Sequence, residues 1–181
     1  MKKFDFQSTF NDSKTSELIQ IIMNLATIAS LNNKLLIVQG GFAVDLAYGR
    51  LTRVHDDLDL ITLESELDFF KEELIKLGHK MGSYDPNGYS FFAEKEGIHI
   101  DFDSVQIDES LDQVSDFDQP YRYIWPVKAS ELFSQIEVDG VVINYANPSL
   151  VKEFKEILIK SGKEKRAKED HDLKILNSVI G

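Results

Sequence analysis

Asp57 and Asp59 are two residues apart, where a charged loop gives way to the apolar run Leu58-Asp59-Leu60-Ile61. Residues two apart on a strand project from the same face, so these carboxylates can share a hard cation, for which Mg2+ is the natural choice. Further on, Ile98, Ile100 and Phe102 alternate with His99, Asp101 and Asp103, the pattern of a strand with one apolar and one acidic face. Upstream, Gly40-Gly41 stands between Leu35-Leu36-Ile37-Val38 and a helical pattern of Phe42, Ala43, Leu46 and Ala47. Glycines at a strand-to-helix turn let the backbone approach a ligand, and the free N–H groups and dipole of the next helix favour an anion such as phosphate. Each feature alone has an ordinary structural reading: a tight turn, a solvated Asp-x-Asp, a wet sheet face. Their conjunction is more informative, because acids projecting from adjacent strands repel one another unless a cation neutralises them. Two metals clamping attacking and leaving oxygens, with a carboxylate to accept a hydroxyl proton, is chemistry that such a set can perform.

The elements that must position these groups follow from periodicity. Asn11-Asp12-Ser13 supplies an N-cap, and Leu18, Ile21, Ile22, Leu25 and Ile28 recur at helical spacing to about residue 30. A strand over 35–38, the glycine turn and a short helix follow; a strand at 58–61 then leads to a helix over 64–77 that Gly78 stops. Pro86-Asn87-Gly88 marks a turn between strands over 80–84 and 89–94, and Gly97 separates the latter from a strand over 98–105. Residues 106–130 read as acidic and irregular. Asp139-Gly140 signals a hairpin between 133–138 and 141–145, Pro148 opens a helix to 160, and Gly162 divides it from a last helix ending near Leu176. The expected architecture is α/β in order: a mixed β-sheet flanked by helices, in one domain over 1–181 with 148–181 as a C-terminal helical tail.

Composition excludes several classes. The 181 residues contain no cysteine, so disulfide frameworks, thiolate metal sites and cysteine nucleophiles are ruled out. Twenty Lys and Arg against 31 Asp and Glu give a net charge of −11, which disfavours nucleic acid as a partner. There is neither an N-terminal apolar segment nor an uncharged apolar run of about 18 residues, so no membrane partner is expected and a cytoplasmic location is. The exception to the acidity is the tail: Lys152 to Lys168 holds seven basic and three acidic residues. Such a run is as often a solvated helix face as a binding surface.

Gly40-Gly41 followed by Ala43, Asp45, Gly49-Arg50, Arg53, His55, Asp57 and Asp59 resembles the signature of small antibiotic nucleotidyltransferases, the lincosamide and aminoglycoside 2″-adenylyltransferases of the DNA polymerase beta-like superfamily. Gly97 to Val105 is similar to that family's third acidic strand, and Lys165-Arg166-Ala167-Lys168-Glu169-Asp170-His171-Asp172-Leu173 to its C-terminal Lys-Arg-x-Lys-Asp-x-x-Asp helix. The resemblance spans about residues 15 to 176, and its first block is the specific one. It implies the nucleotidyltransferase fold and transfer of AMP from ATP to a hydroxyl of a small acceptor, with pyrophosphate leaving and two Mg2+ ions assisting. By the same resemblance Asp57 and Asp59 hold the nucleotide's Mg2+, and Gly40 and Gly41 meet the triphosphate. Asp101 ligates a second ion or takes the hydroxyl proton, and Arg166 and Lys168, the latter preferred, lie near the phosphates. Two departures stand out. The family commonly has Asp-x-His where this chain has Asp101-Phe102-Asp103, which leaves the base open between the two acids, and Glu169 stands where the tail motif has its first Asp.

For the remaining candidates the alternatives stay open. His55 is placed to orient a carboxylate or touch phosphate, or simply to bond within its loop. Asp45 is expected to pair with Arg50 or Arg53. Trp125 is a candidate for stacking on a base or lining the acceptor pocket, and Asp103 for binding the acceptor, though aromatic residues more often fill cores. The acidic balance suits a cationic acceptor such as an aminoglycoside; a lincosamide comes second. The competing reading is a non-catalytic or toxin–antitoxin-type nucleotide-binding module of the same fold, against which the retention of all three acids argues.

Overall fold

The computed structural model describes Phe4, residues 12–83, 85, 87–118, 121–160 and 167–181. Its first helix, α1 (Ser13–Leu31), starts where the sequence places it: the Asp12 carboxylate accepts the Thr15 N–H at 2.7 Å. A short strand β1 (Ile37–Val38) feeds α2 (Gly40–Tyr48), which ends on Gly49 in the left-handed conformation at φ 98°. Then come β2 (Asp57–Leu63), a 3-10 turn over Glu64–Glu66 and α3 (Leu67–Lys76). Three strands follow, β3 (Lys80–Gly82), β4 (Ser90–Lys95) and β5 (Ile98–Asp108). After these run β6 (Gln113–Asp118) and β7 (Tyr121–Lys128), then the hairpin of β8 (Phe133–Val138) and β9 (Val141–Ala146). The chain finishes with α4 (Pro148–Lys160) and α5 (Ala167–Ile180).

The sheet is mixed, in the order β3-β4-β5-β2-β1-β9-β8, with β6 and β7 continuing from the far end of β5. The parallel pairs, β2 with β5 and β1 with β9, lie in its middle, and the other pairings are antiparallel. One face packs on α1 and α3, where Leu18, Ile22, Leu25, Phe70 and Leu74 meet Leu58, Leu60, Ile100 and Phe102. The other carries a second apolar cluster, in which Ile37, Ile61 and Val105 meet Ala43 and Val44 of α2, Val151 of α4 and Leu176 of α5. Every residue from Phe42 to Ala47 is buried because α2 is wedged between both clusters.

Two strands stand where the sequence reads as irregular. Gln113–Asp118 has no apolar run, and Tyr121–Lys128 contains Pro126, so neither segment announces itself locally. They form because the end of β5 offers a free edge: Gln106, Ile107 and Asp108 pair with Ser115, Val114 and Gln113, and β7 then adds to β6. With β7 outermost, the missing Pro126 N–H is tolerated. The hairpin over Asp139-Gly140 matches expectation, both residues having positive φ, 48° and 83°.

Candidate active site

Parallel pairing of β2 with β5 sets Asp59 beside Asp101, Asp57 beside His99 and Ile61 beside Asp103. Alternation therefore gathers Asp57, Asp59, His99, Asp101 and Asp103 on one face, while Leu58, Leu60, Ile100 and Phe102 fill the core on the other. Burial raises the Asp59 carboxyl to about 6, with repulsion from Asp57, Asp101 and Asp103 adding to it and Lys155 opposing. Asp103 is exposed as a residue, yet its carboxyl is also raised, by local desolvation and by Asp101 and Asp116, against a lowering hydrogen bond from Gln39. Lys168 reaches in from α5 to place Nζ 3.7 Å from Asp57 Oδ2. As their side chains are placed, no three acidic or histidine residues among the described ones form a closed metal cluster. What the backbone fixes is the shared face, and the hard carboxylate oxygens of Asp57, Asp59 and Asp101 gathered there are the donor type that suits Mg2+.

The glycine turn abuts these acids. Gly40 has φ +63°, and a Cβ built there would overlap the Asp59 carboxylate; one at Gly41 would overlap the Arg53 guanidinium. Gln39 stitches the turn to both strands: its N–H donates to Asp59 O at 2.9 Å, and its Nε2 donates to Asp103 Oδ2 at 3.1 Å.

Behind the turn lies a buried polar network. Asp45 and His55 are each 1% exposed, with His55 Nε2 2.7 Å from Asp45 Oδ2. The other Asp45 oxygen accepts from Thr52 N–H at 3.1 Å and Thr52 Oγ1 at 2.5 Å. His55 N–H donates to Thr15 Oγ1 at 2.9 Å, and its ring stacks on Phe42 at 3.8 Å. The structure thus corrects two expectations. Asp45 pairs with His55 and Thr52 rather than with an arginine, and His55 is sealed between α1 and α2, where it orders the loop instead of facing a phosphate.

Arg53 bonds across the fold to Asp172 on α5, with Nε to Oδ1 at 2.9 Å and Nη2 to Oδ2 at 3.0 Å. Lys155 of α4 adds a contact to Asp172 Oδ2 at 2.9 Å. Burial alone would raise the Asp172 carboxyl, but its hydrogen bonds and the two cations hold it below the usual carboxylate range. His171 Nε2 lies 3.0 Å from Thr52 Oγ1, a second link from α5 to the same loop. None of Gln39, Arg53, Lys155 or Asp172 stood out as a site residue in the sequence. The available signal was Asp172 at the end of the tail motif and Arg53 within the first signature block.

Trp125 sits in the second core, 6% exposed, edge-on to Phe154 at 5.0 Å, with Nε1 donating to Asp116 Oδ2 at 2.7 Å. It therefore fills the core instead of offering a stacking platform, because β7 pairs with β6 and carries the indole under α4. Arg166 lies outside the described residues.

A mixed sheet with paired acids on adjacent parallel strands, a glycine turn beside them and a C-terminal helix that brings Lys168 to Asp57 is the arrangement of a nucleotidyltransferase. The model of the aminoglycoside-2″-adenylyltransferase family matches residues 20–176, and the chain belongs to that family. No curated protein matches it in sequence. Among solved structures, the lincosamide antibiotic adenylyltransferase LnuA, bound to lincomycin, is 17% identical and superposes with a TM-score of 0.70 over 91% of this chain and 98% of its own. ANT(2″)-Ia in complex with adenylyl-2″-tobramycin is 18% identical, with a TM-score of 0.70 over 92% and 91%. An antigenic nucleotidyltransferase-like protein from Paracoccidioides brasiliensis is 17% identical, with a TM-score of 0.58 over 92% and 76%.

Proposed function

We propose that this enzyme moves AMP from ATP to a hydroxyl of a small antibiotic, an aminoglycoside or a lincosamide, and so confers resistance. The observation that carries the reading is the in-register pair Asp59 and Asp101, with Asp57 on the same face, next to the Gly40 turn. The acceptor class draws its support from the family and from the lincomycin and tobramycin derivatives bound by two similar structures.

In this reading Asp57, Asp59 and Asp101 are the residues that would hold two Mg2+ ions, and the chemistry such ions would supply is neutralisation of negative charge on the triphosphate. Gly40 and Gly41 give the triphosphate close access to the start of α2, and Lys168, with Arg166, supplies positive charge beside it. Asp101 accepts the proton as the acceptor oxygen bonds to the α-phosphorus; the bond from that phosphorus to the bridging oxygen breaks, and its electron pair leaves with pyrophosphate. Asp103, an exposed residue of the acidic face, is the group for a cationic acceptor to meet, and the net charge of −11 attracts such an acceptor from solution. Cytoplasmic ATP fits the same reading.

The test is incubation with ATP and Mg2+ across a panel of aminoglycosides and lincosamides, following pyrophosphate release and the mass of the product. An adduct one AMP heavier than the antibiotic is expected. Pyrophosphate with no panel member would exclude antibiotic transfer, and absence of Mg2+-dependent ATP binding by calorimetry would favour the interaction-module reading instead.

A further inference from the structure

His99 occupies a position on the acidic face that the reaction described above does not use. On β5 it precedes Asp101 by two residues, and its Nε2 lies 3.1 Å from Asp101 Oδ1. Its other ring nitrogen, Nδ1, lies 3.2 Å from Oε1 of Glu94, its register partner on β4. The imidazole is stacked on Phe92 of β4, with centroids 5.4 Å apart and planes 24° apart. Phe92 is itself seated on Gly82 of the outermost strand β3, where an added Cβ would collide with the ring. Edge glycine, phenyl ring, imidazole and carboxylate thus form a continuous relay ending on one oxygen of Asp101.

We infer that His99 is a positioning residue: its Nε2 bond to Oδ1, backed by the Phe92 stack and the Glu94 contact, fixes the Asp101 carboxylate so that Oδ2 is the oxygen presented to the acceptor hydroxyl. The geometry is of the kind in which an orienting partner matters, because a free carboxylate rotates and alternates its two oxygens, whereas one held at Oδ1 offers Oδ2 along a fixed direction. The inference rests on the reading of Asp101 as proton acceptor.

The experiment compares His99→Ala, His99→Phe and His99→Gln with the native protein, using ATP, Mg2+ and whichever of kanamycin, tobramycin or lincomycin turns over. His99→Phe keeps an aromatic ring on Phe92 and loses both polar contacts; Gln places an amide N–H near the position of Nε2. Expected are a fall in kcat of about 10- to 100-fold for Ala and Phe, KM for ATP within about twofold of native, and recovery of about tenfold in kcat by Gln. In an Asp101→Asn background, His99→Ala is expected to cost nothing further. Independently of turnover, imidazole 15N NMR of the native protein is expected to show a His99 Nε2 resonance, assigned by its loss in His99→Gln, that moves on Asp101→Asn. Native kcat in folded His99→Phe, or an Nε2 resonance indifferent to Asp101→Asn, overturns the inference. Full activity of Asp101→Asn instead overturns the proton-acceptor role, and the NMR shift then still reports whether the His99–Asp101 bond exists.

Discussion

Arg53 and Asp172 are 119 residues apart in the chain, yet they are joined by two hydrogen bonds of 2.9 and 3.0 Å. The pair clamps the C-terminal helix onto the loop that leads to Asp57 and Asp59, and the same helix carries Lys168 to Asp57. Site assembly is thereby coupled to docking of the last helix.

Asp172→Ala leaves the guanidinium of Arg53 and the ammonium of Lys155 without their shared anion. Removing one partner of a buried pair costs about 3–5 kcal/mol, so a clear drop in the urea midpoint is expected. The pH dependence has a definite sign. Arg53 and Lys155 hold the folded Asp172 carboxyl below its unfolded value, so its contribution is fully present above about pH 4 and is lost as the pH falls through the folded value. In native protein the midpoint therefore falls on acidification over that range more steeply than in Asp172→Ala, which urea titrations between pH 7 and pH 3 would compare.

Asp59→Asn has opposite effects on activity and stability. On the proposed role of Asp59 as an Mg2+ ligand, transfer is expected to drop by at least about 1,000-fold. The folded Asp59 carboxyl titrates near 6, raised by burial and by its acidic neighbours, so the folded state binds the extra proton in the interval from about 4 to 6. Stability from this group is greatest below that interval and declines as the pH rises through it. In Mg2+-free buffer at pH 7.5, Asp59→Asn is therefore expected to unfold at a urea concentration equal to or above that of native protein, by up to about 1 kcal/mol. A lower midpoint would contradict the crowding of charge on this face.

Gly40→Ala tests the close approach of the turn to the acids. A side chain at φ +63° costs about 1–2 kcal/mol, and its Cβ would displace the Asp59 carboxylate as well. Expected are both a lower melting temperature and loss of Mg2+-dependent ATP binding in calorimetry. Gly49→Ala, at φ +98° but with nothing within 4 Å of the new Cβ, should share the stability loss and keep the binding.

Asp101→Asn is expected to bind ATP with Mg2+ within about tenfold of native affinity and to lose transfer by about 100-fold or more, as removal of a general base does. Asp103→Asn is the comparison. If it instead shows the larger loss in kcat, the proton goes to Asp103 and Asp101 serves chiefly as a ligand.

Much of the site was legible because local chemistry and local periodicity agree. The alternation of Ile98 to Asp103 and the spacing of Asp57 and Asp59 say which side chains share a face, and the hydrophobic partners of each acid say which face is wet. Less legible were partners brought together over long separations. The destination of Arg53 on Asp172, the sealing of His55 against Asp45, and the burial of Trp125 beneath α4 depend on which elements pack, and no short window contains both members. The strands at 113–118 and 121–128 escaped notice for the same reason, since their pairing edge belongs to β5.

By itself the sequence determined the alternating acids, the glycine turn, the helix caps and the resemblance to antibiotic nucleotidyltransferases, because each is written in residue types a few positions apart. Only the tertiary structure decided that β2 and β5 run parallel with Asp59 level with Asp101, and that His99 holds one oxygen of that aspartate. It also decided that the last helix closes on the loop through Arg53. Those relations arise from register and docking, which are set by the burial of two separate apolar clusters on opposite faces of one sheet and are felt only once the whole chain has packed.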